Sequence, residues 1–188
     1  SVDEAALARD LGMDMVVLDH HDPGPVLPDV AALVNPHRAD CSSGARNLAA
    51  VGVAFFFCGA LRKVLVAAGR LAPGEVDVRP LLDLVAVGTI ADLVPITGDN
   101  RALVTAGLRL LNESPRVGLA ALKALAGLNG REATTGTVSF AIAPRVNATG
   151  RMSDPRVSLD LLMARDPEEA KRFADVLDRE NEERRRVE

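Results

Sequence analysis

A hydrophobic run at residues 13–18 is followed at once by four polar side chains, Asp19-His20-His21-Asp22. A short apolar run that ends at a turn, here Pro23-Gly24-Pro25, predicts a buried β-strand. In open α/β sheets ligands bind at the carboxyl ends of the strands, so these polar side chains would stand at a binding edge. Carboxylates together with imidazoles suit a divalent cation such as Mn²⁺ or Mg²⁺. The alternative is an ordinary polar turn, in which Asp is common.

The following segments extend an α/β pattern. Residues 30–34 predict a second buried strand, parallel to the first, which ends at Asn35-Pro36. After a polar loop, the apolar residues from about 45 to 68 follow the helical period, and residues 81–94 predict a buried helix.

The remainder of the chain is predicted to be mostly helical. Further helices are expected over residues 100–112, 118–126 and 154–164 and from Asp166 onward, with a short strand or turn over residues 137–143. Beyond Leu177 the last helix is almost wholly charged, which is typical of a helix that is solvated or bridges two domains.

Composition narrows the functional classes. The formal net charge of −4 over 188 residues argues against a surface coated in positive charge for non-specific nucleic-acid binding, although a local basic groove fits it. Trp and Tyr are absent, so an aromatic platform for stacking single strands is not predicted. Cys41 and Cys58 lack metal-finger spacing and read as thiols of a reducing compartment, which indicates the cytoplasm. No apolar run reaches the roughly 20 residues that a membrane span needs.

Two further segments carry ligand-grade side chains. Asp92 lies in the otherwise apolar stretch 87–95, where a buried carboxylate needs a cation or a donor; the alternative is a helix-end Asp that faces water. Residues 143–152 form a predicted loop in which Arg145 and Arg151 flank Asn147, an arrangement suited to phosphate contacts. The alternative is a surface loop with solvated arginines. Residues 42–46 would complete a phosphate-binding wall through Ser42, Ser43 and Arg46.

Taken in chain order, three motifs resemble those of the DHH phosphoesterase superfamily. They are Asp19-His20-His21 after a strand, Gly88-Thr89-Ile90-Ala91-Asp92, and the segment 143–151. Within that superfamily the likeness is to the bacterial exonucleases specific for single-stranded DNA, and it extends to residues 49–55 and 99–101.

This resemblance implies a fold, a reaction and a set of residue roles. The reaction would use two divalent ions, Mn²⁺ or Mg²⁺, and a bridging water that attacks a phosphodiester phosphorus. His20 and Asp92 would be metal ligands, and Asp19 would be either a ligand or the partner that orients an imidazole. His21 would lie beside the scissile phosphate as a donor or acid, with Asp19 in the same catalytic group. The DNA phosphates would be held without base specificity by Arg145, Asn147 and Arg151.

The resemblance also implies an α/β fold that is only part of a DHH-type domain. Residues 1–165 would supply a parallel sheet flanked by helices and a helical insert, and residues 166–188 would begin a helix connecting to a second domain. Two aspartate motifs of the superfamily have no counterpart here and would precede Ser1, so the isolated chain is expected to be inactive.

The predicted function is a 5′→3′ exonuclease on single-stranded DNA in repair and recombination, with no membrane partner. The alternatives are a DHH phosphoesterase acting on short RNA, cyclic dinucleotides or pyrophosphate, and a non-catalytic nucleic-acid-binding relative.

Overall fold

The computed structural model describes residues 2–152 and 154–187, without the side chains of Thr149, Arg151 and Met152. The first elements are α1 (Val2–Asp10), β1 (Val16–Leu18), β2 (Ala32–Val34) and α2 (Ala50–Ala67). A 3₁₀ turn (Arg79–Leu81) then leads into α3 (Leu82–Ala91), which is followed by α4 (Gly98–Glu113) and α5 (Val117–Leu125). The last elements are a helical turn α6 (Thr135–Thr137), a π-helical turn (Val138–Ile142), α7 (Ala143–Met152), α8 (Arg156–Met163) and α9 (Pro167–Val187).

The two strands pair in parallel, as predicted. Val16 lies opposite Ala32 and Leu18 lies opposite Val34, so both strands end at the same edge of the sheet. The expectation that both strands are buried was wrong, since Val16 is 50% exposed and Val34 is 36% exposed. The reason is that the described part of the sheet has only two strands, so each of them is an edge strand.

Helix α2 begins at Ala50, five residues later than the sequence pattern predicts. The preceding backbone is held in other hydrogen bonds: the Ser43 hydroxyl accepts the Ala45 N–H at 3.2 Å, and the Arg46 carbonyl accepts from His37 at 2.6 Å. Helix α2 is also long and apolar enough, by length and composition, to cross a membrane, and the sequence analysis expected no such segment. That is weak evidence for a span, because helices of soluble proteins pass the same test, and α2 packs against α3 and β1.

Helix α3 lies at the centre of the fold and is buried on nearly all sides, as predicted. It makes its most extensive contact with α4, where Gly107 lets the two backbones approach each other closely. Asp83 at its first turn is 1% exposed and receives two hydrogen bonds of 2.8 Å from the guanidinium of Arg116. This ion pair ties the start of α5 to α3.

The segment predicted as a strand or turn followed by a loop, residues 137–152, is instead helical. The segment was predicted as a loop because its sequence shows no hydrophobic period, and Pro144 lies instead at the second residue of α7, directly after a π-helical turn. A π-helical turn at residues 138–142 joins this helix to α6. The chain therefore presents Arg145 and Asn147 from a helix and not from a flexible loop.

The final helices share one hydrophobic core with α3, α4 and α5. Ala170, Ala174, Leu177 and Asn181 of α9 are buried against α5, α7 and α8. Helix α9 is thus part of the packed structure at least to Asn181, further than the predicted limit at Leu177. The structure is a mostly helical α/β fold with a small parallel sheet, which confirms the predicted fold class. The division into a domain at 1–165 and a connecting helix at 166–188 stays a prediction.

Candidate metal centre

His20 and Asp92 approach each other from two different elements. His20 follows β1 and its side chain is 13% exposed, while Asp92 follows α3 and its side chain is 37% exposed. The Nε2 atom of His20 lies 3.5 Å from Oδ2 of Asp92. Two ligand atoms that share one divalent cation, each about 2.1 Å from it, lie roughly 3–4 Å apart, so this spacing fits a common ion.

The end of α3 fixes the position of Asp92. Asp92 is the C-cap residue, and its backbone N–H still donates to the Gly88 carbonyl at 3.0 Å. The next residue, Leu93, has φ of 60° and is 83% exposed, so the chain leaves the helix through a left-handed turn that costs a non-glycine residue about 1–2 kcal/mol. Gly88 faces Val51 of α2, where an added Cβ would lie 2.9 Å from Val51 Cγ1. Gly88 therefore serves the packing of α2 on α3.

Asp19 and His21 form a hydrogen-bonded pair beside this site. The Nδ1 atom of His21 lies 2.8 Å from Oδ1 of Asp19, and the His21 ring stacks at a tilt on His20 with centroids 4.3 Å apart. Burial alone would raise the pKa of Asp19, but hydrogen bonds from the ring and N–H of His21 and from the N–H of His20 lower it. The same hydrogen bond and the charge of Asp19 raise the pKa of His21. Of the two roles predicted for Asp19, the geometry favours the one that orients an imidazole.

Asn35 is a site residue that was not predicted from the sequence. It was taken only as the residue that ends the second strand, yet it is 4% exposed and its amide contacts both Asp19 and His21. A usable signal was present: Asn35 follows β2 as Asp19 follows β1, and parallel strands bring such positions to one edge.

His37 joins the two loops that follow the strands. Its ring nitrogens lie 2.6 Å from Oδ1 of Asp22 and 2.6 Å from the carbonyl of Arg46. The loop after β2 is thereby fixed to the loop after β1, on the same side as the Asp19–His21 pair.

The phosphate-binding residues predicted at 42–46 lie in this loop. Ser42, Ser43 and Arg46 are exposed. The Ser43 hydroxyl accepts the Ala45 N–H and lies 3.2 Å from the sulfur of Cys41. Apart from these contacts of Ser43, the side chains face solvent and are free to meet a ligand, while the backbone that carries them is held by His37.

The second predicted phosphate group lies on α7. Arg145 is bound inside the protein: its Nε donates to Asp178 at 2.7 Å, a second nitrogen donates to the Ala141 carbonyl, and its side chain is 13% exposed. This guanidinium joins α7 to α9, so its charge is already paired. Asn147 is exposed on α7. The side chain of Arg151, the third predicted phosphate ligand, lies outside the described part of the chain.

The donor set of the site suits a divalent ion but does not complete its coordination. Within residues 2–152 and 154–187, no three His, Cys, Asp or Glu side chains are close enough together to hold a metal ion. His20 and Asp92 provide one imidazole and one carboxylate, and a hard or borderline cation needs at least two more ligands. These residues therefore fit part of a metal cage, with Asp19 and His21 adjoining it.

Comparison with known proteins shows what this chain is similar to. The model of the DHH family, N-terminal domain, matches residues 1–89. The single-stranded-DNA-specific exonuclease RecJ of Bacillus subtilis is 44% identical over 187 residues, which cover 100% of this chain and 22% of that protein. A crystal structure of exonuclease RecJ bound to manganese superposes with a TM-score of 0.83 at 35% identity and covers 100% of this chain and 46% of its own. RecJ from Thermus thermophilus in complex with Mn²⁺ gives a TM-score of 0.81 at 35% identity, with 100% and 27% covered.

The likeness extends through both halves of the chain, across the residues that carry the Asp-His-His motif and those that carry Asp92. The chain spans about a fifth to a half of the length of these relatives. Residues 1–89 match the N-terminal domain of the DHH family, and the similarity to RecJ exonucleases covers the whole chain.

Proposed function

We propose that the complete protein containing this chain is a metal-dependent exonuclease that hydrolyses single-stranded DNA from 5′ to 3′, in recombination and repair in the cytoplasm. Similarity to RecJ exonucleases over the whole chain supports this activity. The observation that carries the proposal is the pair formed by His20 and Asp92, whose ligand atoms lie 3.5 Å apart although they come from different elements.

His20 and Asp92 would hold a divalent ion, Mn²⁺ or Mg²⁺, at the carboxyl edge of the sheet. Further ligands would come from water, from the phosphate and from parts of the protein outside this chain, and a second ion would share them. Two such ions, when bound, lower the pKa of a water and stabilise the charge on a phosphate in displacement. The relatives crystallised with manganese support this choice of ion.

His21 would act on the phosphate directly. Its Nδ1–H donates to Asp19, which leaves Nε2 on the opposite side of the ring, and its side chain is 77% exposed. An imidazole held in one tautomer by a carboxylate is suited to transfer a proton at its other nitrogen. In the proposed reaction the imidazolium form of His21, protonated at both nitrogens, donates its Nε2 proton to a phosphate oxygen or to the leaving oxygen and becomes the neutral Nδ1–H tautomer that Asp19 holds.

The DNA backbone would run past the exposed loop at residues 42–46. Ser42 and Ser43 supply hydroxyls and Arg46 supplies a guanidinium, a set that binds phosphates without reading the bases. Asn147 and Arg151 would extend the contact along α7. Arg145 would help mainly by positioning α7, since Asp178 already pairs its charge.

The test uses the purified complete protein and DNA labelled at either end. Wild type with Mn²⁺ should release nucleotides from single-stranded DNA starting at the 5′ end and should be inactive with EDTA. Asp92→Asn should lower kcat by at least about 100-fold, since loss of a partner of a metal ligand alone costs 10–100-fold. Asp160→Asn, which changes an exposed carboxylate on α8, is the matched control and should keep full activity.

Other outcomes separate the alternatives. Faster hydrolysis of dinucleotides, short RNA or pyrophosphate than of long single-stranded DNA would replace the exonuclease proposal with another DHH phosphoesterase. Binding of DNA without hydrolysis and without any heat of Mn²⁺ binding would assign a non-catalytic relative.

A further inference from the structure

Asn35 occupies a buried position between the two loops that carry the site. It follows β2 directly, and the neighbouring strand ends beside it, because the Asp19 N–H donates to the Val34 carbonyl at 3.0 Å. Asn35 is 4% exposed. A polar side chain at such a depth is retained only with its hydrogen bonds satisfied.

The amide of Asn35 meets each of its neighbours with the correct group. Its Nδ2 donates to Oδ2 of Asp19 at 3.3 Å and to the carbonyl of His21 at 2.9 Å. Its Oδ1 accepts the N–H of His37 at 2.8 Å. Two acceptors on one side and one donor on the other require a side chain that has both an NH₂ and a carbonyl oxygen, which at this length is Asn alone. An Asp here would turn acceptor oxygens toward the carboxylate of Asp19.

The contacts of Asn35 affect His21, the residue proposed to act on the phosphate, through Asp19. Asn35 holds one carboxylate oxygen, Oδ2, and the other, Oδ1, accepts from the ring and the backbone N–H of His21. Because Asn35 also binds the His21 carbonyl, it fixes both ends of the turn across which the ring is oriented. Removal of the amide frees the carboxylate of Asp19 to rotate, and the ring of His21 loses its fixed direction.

We propose that Asn35 is a positioning residue that acts through Asp19 on His21: it sets the tautomer and direction of the imidazole that faces the substrate. The consequence for turnover rests on the proposed nuclease function, whereas the consequence for the ring of His21 does not. Asn35 touches neither the substrate nor the ion in this scheme.

The control is Asn112, which has an equal number of hydrogen bonds away from the site. Its Nδ2 donates to the Ala133 carbonyl at 3.0 Å, and its Oδ1 accepts from the Ala133 N–H at 2.8 Å and from Lys123 at 3.1 Å. Asn112→Ala therefore removes three hydrogen bonds, as Asn35→Ala does, with no partner among the site residues.

The experiment measures two properties of the complete protein in Asn35→Ala, Asn35→Asp and Asn112→Ala. The first is turnover of single-stranded DNA with Mn²⁺, resolved into kcat and KM. We expect kcat to fall about 10–100-fold in both Asn35 variants with KM changed less than threefold, and Asn112→Ala to keep the wild-type kcat. The second is the ¹⁵N spectrum of the histidine rings in the metal-free protein, with the His21 signals assigned through His21→Gln.

In wild type the spectrum should show His21 protonated at Nδ1, and this signal should move toward a mixture of tautomers in both Asn35 variants only. Equal kcat and equal His21 signals in Asn35→Ala and Asn112→Ala would overturn the proposal. If wild type has no Mn²⁺-dependent turnover, the nuclease function fails, and the His21 signals alone then decide the role of Asn35. If Asn35→Ala does not fold, Asn35→Ser, which is smaller and keeps a hydroxyl, is measured in its place with the same criteria.

Discussion

Replacement of Gly107 by Ala should separate α3 from α4 and destabilise the fold. A Cβ at this position would lie 2.0 Å from the carbonyl oxygen of Leu82 and 2.5 Å from the Cβ of Ala86. Ordinary contact is about 3.5 Å, so the helices must move apart by more than 1 Å at their closest point. The obstacle is backbone, which cannot rotate away, so we expect the upper end of the usual 1–3 kcal/mol that overpacking costs.

The matched control is Gly59→Ala in the interior of α2, where an added Cβ meets nothing within 4 Å. Both substitutions gain about 1 kcal/mol of helix propensity, so the difference between the two variants isolates the steric term. In urea unfolding of the chain, Gly59→Ala should gain up to about 1 kcal/mol in free energy of unfolding and Gly107→Ala should lose about 2. If the two variants unfold within about 0.5 kcal/mol of each other, the close approach of α3 to α4 is not as described.

Three other predictions concern the buried ion pair, the Asp19–His21 pair and the isolated chain. Arg116→Met leaves the carboxylate of Asp83 buried without its partner and should cost about 3 kcal/mol in the same unfolding assay, whereas a loss under about 1 would show that the pair is solvated. Asp19→Asn should lower the pKa of His21, measured by NMR in metal-free protein, and an unchanged value would contradict the hydrogen bond. The ion pair should stabilise the fold fully from about pH 4 to 6.5. This stabilisation should be lost as the pH falls through the pKa of Asp19 or rises through that of His21. The isolated 188-residue chain should show no robust Mn²⁺-dependent nuclease activity, because its described residues supply too few ligands for an ion, and rapid turnover would refute this.

The sequence predicted secondary structure best in the segments where the hydrophobic period and the turn residues indicate the same element. The parallel pairing of residues 16–18 with 32–34 and the buried helix α3 follow from apolar runs and turn residues, which act locally. The approach of His20 to Asp92 could be predicted only through the resemblance to a family, because nothing local joins two residues so far apart in the chain.

Other features depend on contacts that the sequence pattern does not record. Asp83 and Arg116 form an ion pair although they are 33 residues apart, and the sequence around neither residue predicts this contact. Residues 143–152 were predicted as a loop because their sequence shows no hydrophobic period, yet they continue the preceding π-helical turn as α7. The ion pair between Arg145 and Asp178 was not predicted for the same reason, because it forms between the helices α7 and α9.

The contact between Asn35 and Asp19 could have been predicted from the sequence. Two parallel strands place the residues after their last positions side by side, so Asp19 and Asn35 form a natural pair once the strands are assigned. Asn35-Pro36 was interpreted only as the end of the strand, because Asn followed by Pro is typical of a turn.

The most direct measurement of the central claim is the anomalous diffraction of manganese in crystals of the complete protein soaked with Mn²⁺. We expect a peak within about 2.5 Å of both Nε2 of His20 and a carboxylate oxygen of Asp92, and we expect this peak to be lost in Asp92→Asn. Manganese bound elsewhere in the protein, with His20 and Asp92 still 3.5 Å apart and no ion between them, would contradict the claim that these two residues share one ion.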